Sequence, residues 1–169
     1  MNEHQMLAQE PEQQNLRTRW IQRWLPVILW AIVIATFSTH AFTADNTGHF
    51  FIPLLHWLFP HASAQSLERM HFFIRKSGHF TEYFILSLLF LRGIRAGRRE
   101  IRLAWMAITL LVVASYASLD EFHQRFVPGR TPAIADVILD TTAGAIALLV
   151  VGLVLSLAAA RPKRGRTTG

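Results

Sequence analysis

The chain contains no cysteine, which excludes disulfides and thiolate chemistry and leaves the redox compartment unmarked. Charge is scarce as well: 17% of its 169 residues are Asp, Glu, Lys or Arg, where soluble domains carry about 25%. No nucleophile elbow and no glycine-rich phosphate loop occurs. What is abundant is apolar side chain, 51% of the total. That balance predicts a small polytopic membrane protein with room for one domain. The formal net charge of +6 does not point to nucleic acid, because the basic residues gather at the ends of apolar runs, as topology signals do.

The fold class expected is all-α, with four transmembrane helices and an interfacial segment between the first and second. Residues 1–16 read as a disordered cytoplasmic tail, 17–160 as a single four-helix membrane domain with its motif region at 76–144, and 161–169 as a basic cytoplasmic tail. Arg17, Arg19 and Arg23 precede an uncharged run, Leu25 to Phe42, that is long enough to cross a bilayer and is read as an uncleaved first span. From Asp45 to Ser66 the pattern is least regular. There His49 to Phe59, rich in aromatics and too short to span, suits an interfacial or re-entrant segment, and Ser66 reads as the N-cap of the next helix.

The second span is unusual. Counting back from Arg92, Glu82 is reached after roughly 15 Å of helix and Lys76 after roughly 24 Å, so an ionisable group lies well inside the bilayer. Leu103 to Leu119 and Ile134 to Leu157 complete the set. Three basic residues before the first span, five between Arg92 and Arg102 and four at the C-terminus share one side, twelve of the seventeen. The positive-inside rule then places both termini in the cytoplasm and Arg69, Arg75, Lys76, Arg125 and Arg130 on the outer face of a bacterial inner membrane. Those five are not needed for topology and are read as counter-charges or ligand-binding groups.

Between the last two apolar runs lies DEFHQRFVPGRTPAIADVILD, Asp120 to Asp140. Helical spacing puts Lys76, His79, Glu82 and Tyr83 on one face, Asp120 with Gln124 and Glu121 with Arg125 as i,i+4 neighbours, and Asp136 with Asp140 on the last span. Pro128-Gly129 reads as a turn that directs Arg130 back over the bundle mouth. The ten residues expected to line a ligand site are Lys76, His79, Glu82, Tyr83, Asp120, Glu121, Gln124, Arg130, Asp136 and Asp140.

KSGHFTEYFIL at Lys76 to Leu86 and SLDEFHQRFVPGRTPAIADVILDTTAG at Ser118 to Gly144, with the four-span layout, resemble the VanZ-like family of bacterial membrane proteins. The resemblance covers spans two to four. It implies an association with resistance to glycopeptide antibiotics, teicoplanin in particular, and no agreed biochemical activity. Asp140 stands where the family pattern leads one to expect Asn.

Four functions fit such a mouth. The first is binding of an amphiphile, a lipid headgroup, lipid-linked cell-wall precursor or lipoglycopeptide, whose anionic group pairs with Lys76, Arg125 or Arg130. The second is acid/base hydrolysis or transfer at a lipid headgroup, with Asp120, Glu121, His79 and Glu82 as candidate catalytic groups. A metal variant uses His79, Glu82, Asp120 and His123. The fourth is a purely structural network, with Glu82 paired to Lys76 or Arg130 and Asp136 to Arg130. No cofactor is expected, the expected partner is a membrane lipid or lipid-linked envelope molecule, and oligomeric state is unmarked.

Overall fold

A computed structural model describes residues 3–39, 42–98, 100–130 and 133–160, with side chains from Arg17 onward. The expected basic tail at 161–169 lies outside the described residues. Among them the regular structure is helical throughout: α1 (Glu3–Phe37), α2 (Ala44–Leu58), α3 (Ala64–Arg95), α4 (Leu103–Gln124) and α5 (Ile134–Ala160).

Local chemistry sets the helix ends. Thr43 caps α2, its side chain accepting the Asn46 N–H, and Ser63 caps α3 by accepting from Ser66. The α3 helix therefore starts one turn earlier than expected, with Ser66 as the capped residue and not the cap. It ends at Ala96, which is left-handed at φ 53° and bonds back to Arg92 O, and Arg92 and Arg95 in the last turn complement the helix dipole. Glu121 accepts the Ala133 N–H at 2.8 Å and so caps the entry to α5.

Two stretches are more regular than the sequence pattern suggests. Residues 44–58 form one helix with Pro53 inside it, because α2 has a partner to pack on: Phe51 stacks on His71 of α3 at 5.9 Å. His71 is buried and hydrogen-bonded to Thr47 Oγ1 at 3.1 Å. The backbone of α1 also runs back to Glu3, through the stretch expected to be a disordered tail. Its Glu, Gln, Ala and Leu residues are good helix formers, which favours continuation of the helix.

Around α3 the other four helices pack, α5 most extensively. Small residues bring the backbones close. A Cβ placed on Gly144 would lie 2.8 Å from Val113 Cγ1, and the Ser87 hydroxyl donates to Gly144 O at 3.1 Å. A Cβ on Gly152, two turns further along α5, would meet nothing within 4 Å. Gly144→Leu is therefore expected to lower the thermal midpoint by an amount equivalent to about 1–3 kcal/mol of overpacking. Gly152→Leu should leave it unchanged, and equal midpoints for the two variants would overturn this account of α5 packing.

Tryptophans tie the bundle together rather than serving only as lipid anchors. Trp30 Nε1 donates to Glu82 O at 2.8 Å, and the Trp24 ring fills the space beside Gly93. Tyr116 OH donates to Ala31 O at 2.7 Å, linking α4 to α1. The shared core contains Val27, Ile34, Tyr83, Leu86, Val113, Ala117 and Ala143.

Three helical segments, Arg17–Phe37, Leu103–Gln124 and Ile134–Ala160, are long and apolar enough to cross a membrane. Their outward side chains are apolar: Ile32, Leu111, Leu149 and Leu153 are all more than half exposed. Such a belt suits lipid and not water. The α3 helix is long enough at 32 residues but carries Arg69, Arg75, Lys76, Glu82, Arg92 and Arg95. By composition it is not one of the three.

Candidate functional site

The polar side chains of α3, α4 and α5 meet at one end of the bundle. Tyr83 and Asp140 are fully buried, and Asp120, Glu121 and Gln124 nearly so. Glu82 feels the charges of Asp120 and Arg130. Those of Asp136, Arg130, Asp120 and Lys76 reach His79, and those of Asp136, Asp120, Glu121 and Glu82 reach Asp140. Side chains from three helices and the α4–α5 connection thus come together at this end of the bundle, His79, Glu82 and Arg130 on one side of α3 and Lys76 with Asp136 on the other.

Within it, some partners differ from expectation. Lys76 pairs with Asp136, so Arg130 is not the partner of that carboxylate. The reason is azimuthal: Lys76 projects from α3 directly toward α5, whereas Arg130 leaves its turn on the side of α1. Glu121 bonds the Ala133 N–H and not Arg125. Gln124 Nε2 donates to Asp120 Oδ2 at 3.0 Å, as their spacing implies. These contacts give Glu121, Gln124, Lys76 and Asp136 a structural share in the network.

Arg130 is held by the turn that precedes it. Its N–H bonds Val127 O at 3.2 Å across Pro128-Gly129, and Gly129 at φ 77° occupies the left-handed position this turn requires. The guanidinium reaches the C-terminal end of α1, where Nη2 donates to Phe37 O at 2.6 Å and to Phe42 O at 3.0 Å. Its Nε is buried without a partner. Burial, and next the nearby charge of Arg75, pull the guanidinium below its usual pKa, against the opposing influence of Asp120, Glu121 and Glu82.

A cavity of about 270 Å³ opens beside this guanidinium. Its floor is His79, Glu82 and Arg130, and its rim is Phe37, Phe42 and Phe51, with Arg75 and Thr47 between them. No ion pair or hydrogen bond occupies the Arg75 guanidinium among the described residues. Sequence reasoning did not place Arg75 or the α1 and α2 wall in the site. One signal was available, since Arg75 is among the five basic residues that topology does not need.

On the opposite side of α3 lies a wider groove of about 730 Å³, walled by Phe72, Phe73, Phe80 and Leu139 and edged by Lys76 and Asp136. The four residues of the metal alternative do not assemble: His123 is exposed, and among the described residues no group of three or more His, Asp or Glu side chains is placed to hold a metal ion.

The VanZ/LLP1 family description matches residues 23–155, from the first turns of the apolar part of α1 to near the end of α5. The chain belongs to the VanZ/LLP1 family. No curated protein and no solved structure matches it. The family match extends the likeness noted at 76–144 to all but the ends of the bundle, so in this VanZ/LLP1 protein the arginine cavity and the buried acids both lie inside the family domain. Asp140, where Asn was expected, is fully buried, and among the described residues neither of its carboxyl oxygens has a hydrogen-bond partner.

Proposed function

We propose that this protein binds the anionic headgroup of a membrane amphiphile in the cavity shared by Arg75 and Arg130, and through that ligand affects the cell envelope. The observation that carries the reading is the pairing of two guanidinium groups around one cavity with, among the described residues, no carboxylate bonded to either. Like charges facing a common space repel, and an anion between them relieves the repulsion while accepting their unused N–H donors. The aromatic rim of Phe37, Phe42 and Phe51 suits the first carbons of a lipid tail.

In this reading α3 is a fourth span, its ionisable groups sheltered by the helices packed around it, and α2 lies along the outer interface. Both termini are cytoplasmic, the protein sits in the bacterial inner membrane, and the cavity faces outward. Lipid-linked cell-wall precursors and lipoglycopeptides share the required format of an anionic head on an apolar tail.

Arg75→Gln tests the reading cleanly, because among the described residues Arg75 makes no hydrogen bond or ion pair that the substitution would remove. Native mass spectrometry of the purified protein should show retention of phosphatidic acid reduced about tenfold, the equivalent of one charged hydrogen bond. The thermal midpoint should be unchanged. Equal retention by wild type and variant would overturn the proposal.

A further inference from the structure

His79 stands between the cavity and the buried acids. Its ring lines the cavity beside Arg75, Glu82 and Arg130. Its Nδ1 is buried without a hydrogen bond, 3.9 Å from Asp140 Oδ2. Nε2 is therefore the nitrogen left to meet the cavity. Asp140 is fully buried, and among the described residues neither of its oxygens has a hydrogen-bond partner. A carboxylate behind one imidazole nitrogen, with a solvent-reached cavity before the other, orients the ring as a general base. The distance is longer than a formed hydrogen bond, as is common before substrate tightens a catalytic site.

The remaining groups are those phosphoryl transfer needs. Two guanidiniums can hold non-bridging oxygens and neutralise charge that builds up in the transition state. A carboxyl group, Glu82, lies in the same cavity to protonate a leaving oxygen. A space of about 270 Å³ takes a phosphate and the start of one chain. A diester would have to fit a second alcohol beside the arginines.

We propose that the cavity hydrolyses the phosphate monoester of a lipid alcohol, with His79 as general base, Glu82 as general acid, Arg75 and Arg130 holding the phosphoryl group, and Asp140 positioning His79. The inference rests on the anion-binding reading above and names its substrate class. Water gives one proton to His79 Nε2 as its oxygen bonds to phosphorus. The bond from phosphorus to the lipid oxygen breaks, and that oxygen leaves as the alcohol with the proton carried by the Glu82 carboxyl. Inorganic phosphate departs, and the proton on His79 passes through solvent to the Glu82 carboxylate, restoring both groups.

The test uses the full chain in phosphatidylcholine vesicles containing phosphatidic acid, with release of inorganic phosphate as readout and 4-nitrophenyl phosphate as the soluble comparison. Wild type should release phosphate from phosphatidic acid faster than from the soluble ester. His79→Gln should lose roughly 10²–10⁴-fold in rate while retaining bound phosphatidic acid by native mass spectrometry. Glu82→Gln should lose activity in the same way, which keeps the test decisive if the histidine variant does not fold. Asp140→Asn should lower kcat and leave KM unchanged, a split that loss of structure alone would not give.

No release from phosphatidic acid, release from the soluble ester only, or full activity in His79→Gln would overturn the inference. If wild type binds phosphatidic acid without releasing phosphate, catalysis fails and the binding reading stands. If it does not bind phosphatidic acid at all, both fail.

Discussion

Arg130→Ala is expected to abolish retention of anionic lipid and to lower the thermal midpoint at the same time, because one guanidinium both lines the cavity and closes the end of α1. Its Nη2 is shared between Phe37 O, a carbonyl that the helix itself leaves without a partner, and Phe42 O in the connection to α2. Each hydrogen bond from a charged donor contributes about 1.5–3 kcal/mol, so the loss should be about 3 kcal/mol or more, read by thermal unfolding of the purified protein in detergent. Arg130→Lys should recover little. A single ammonium can replace one of those contacts but cannot keep the planar donors turned to the cavity. Arg75→Gln, by contrast, should lose lipid and keep its midpoint. If Arg130→Ala melts like wild type, the guanidinium is not part of the fold, and the geometry drawn here at the α1 terminus is wrong.

That double role could not be read from the sequence, and the reason is physical. Periodicity along one helix reveals which side chains share a face: it paired Asp120 with Gln124 on α4, which do bond, and it grouped Lys76, His79, Glu82 and Tyr83 on α3, where Lys76 turns to the groove beside Asp136 and His79 and Glu82 to the arginine cavity. Turn chemistry was equally legible: Pro128-Gly129 makes the reversal that aims Arg130. Apolar run length found the starts of α4 at Leu103 and α5 at Ile134. What a linear pattern omits is the rotation of one helix against another. Asp136 was a candidate partner for Arg130, six residues before it, yet it meets Lys76, sixty residues away. The carbonyl groups of Phe37 and Phe42, which hold Arg130, carry no side-chain signature at all. The same holds for Glu82 O, which receives the Trp30 indole N–H. His71 is a related case: a histidine in an aromatic-rich stretch carries no mark of burial until a facing helix offers it partners, here Phe51 and Thr47.

Reversing Lys76 alone, as Lys76→Asp, is expected to destabilise the bundle by about 3 kcal/mol or more, since it leaves Asp136 without its counter-charge among carboxylates. Asp136→Lys alone should cost a comparable amount, because two ammonium groups would then face each other across the α3–α5 contact. Both side chains are mostly buried, at 28% and 13% relative exposure, so solvent screens the repulsion only in part. Combining the two reversals re-forms an ion pair with its poles exchanged and should recover most of the loss. Recovery should be incomplete, because the ammonium leaves the Phe72 ring it now sits 5.3 Å from, an interaction contributing about 0.5–1 kcal/mol. The cavity of Arg75 and Arg130 lies on the other side of α3, so the doubly reversed protein should still retain anionic lipid. A double-mutant cycle on thermal stability measures the coupling directly. Additive losses would mean that Lys76 and Asp136 do not hold α3 to α5. Exchanging Arg130 and Asp136 in the same way should restore nothing, because those two charges do not meet in the fold.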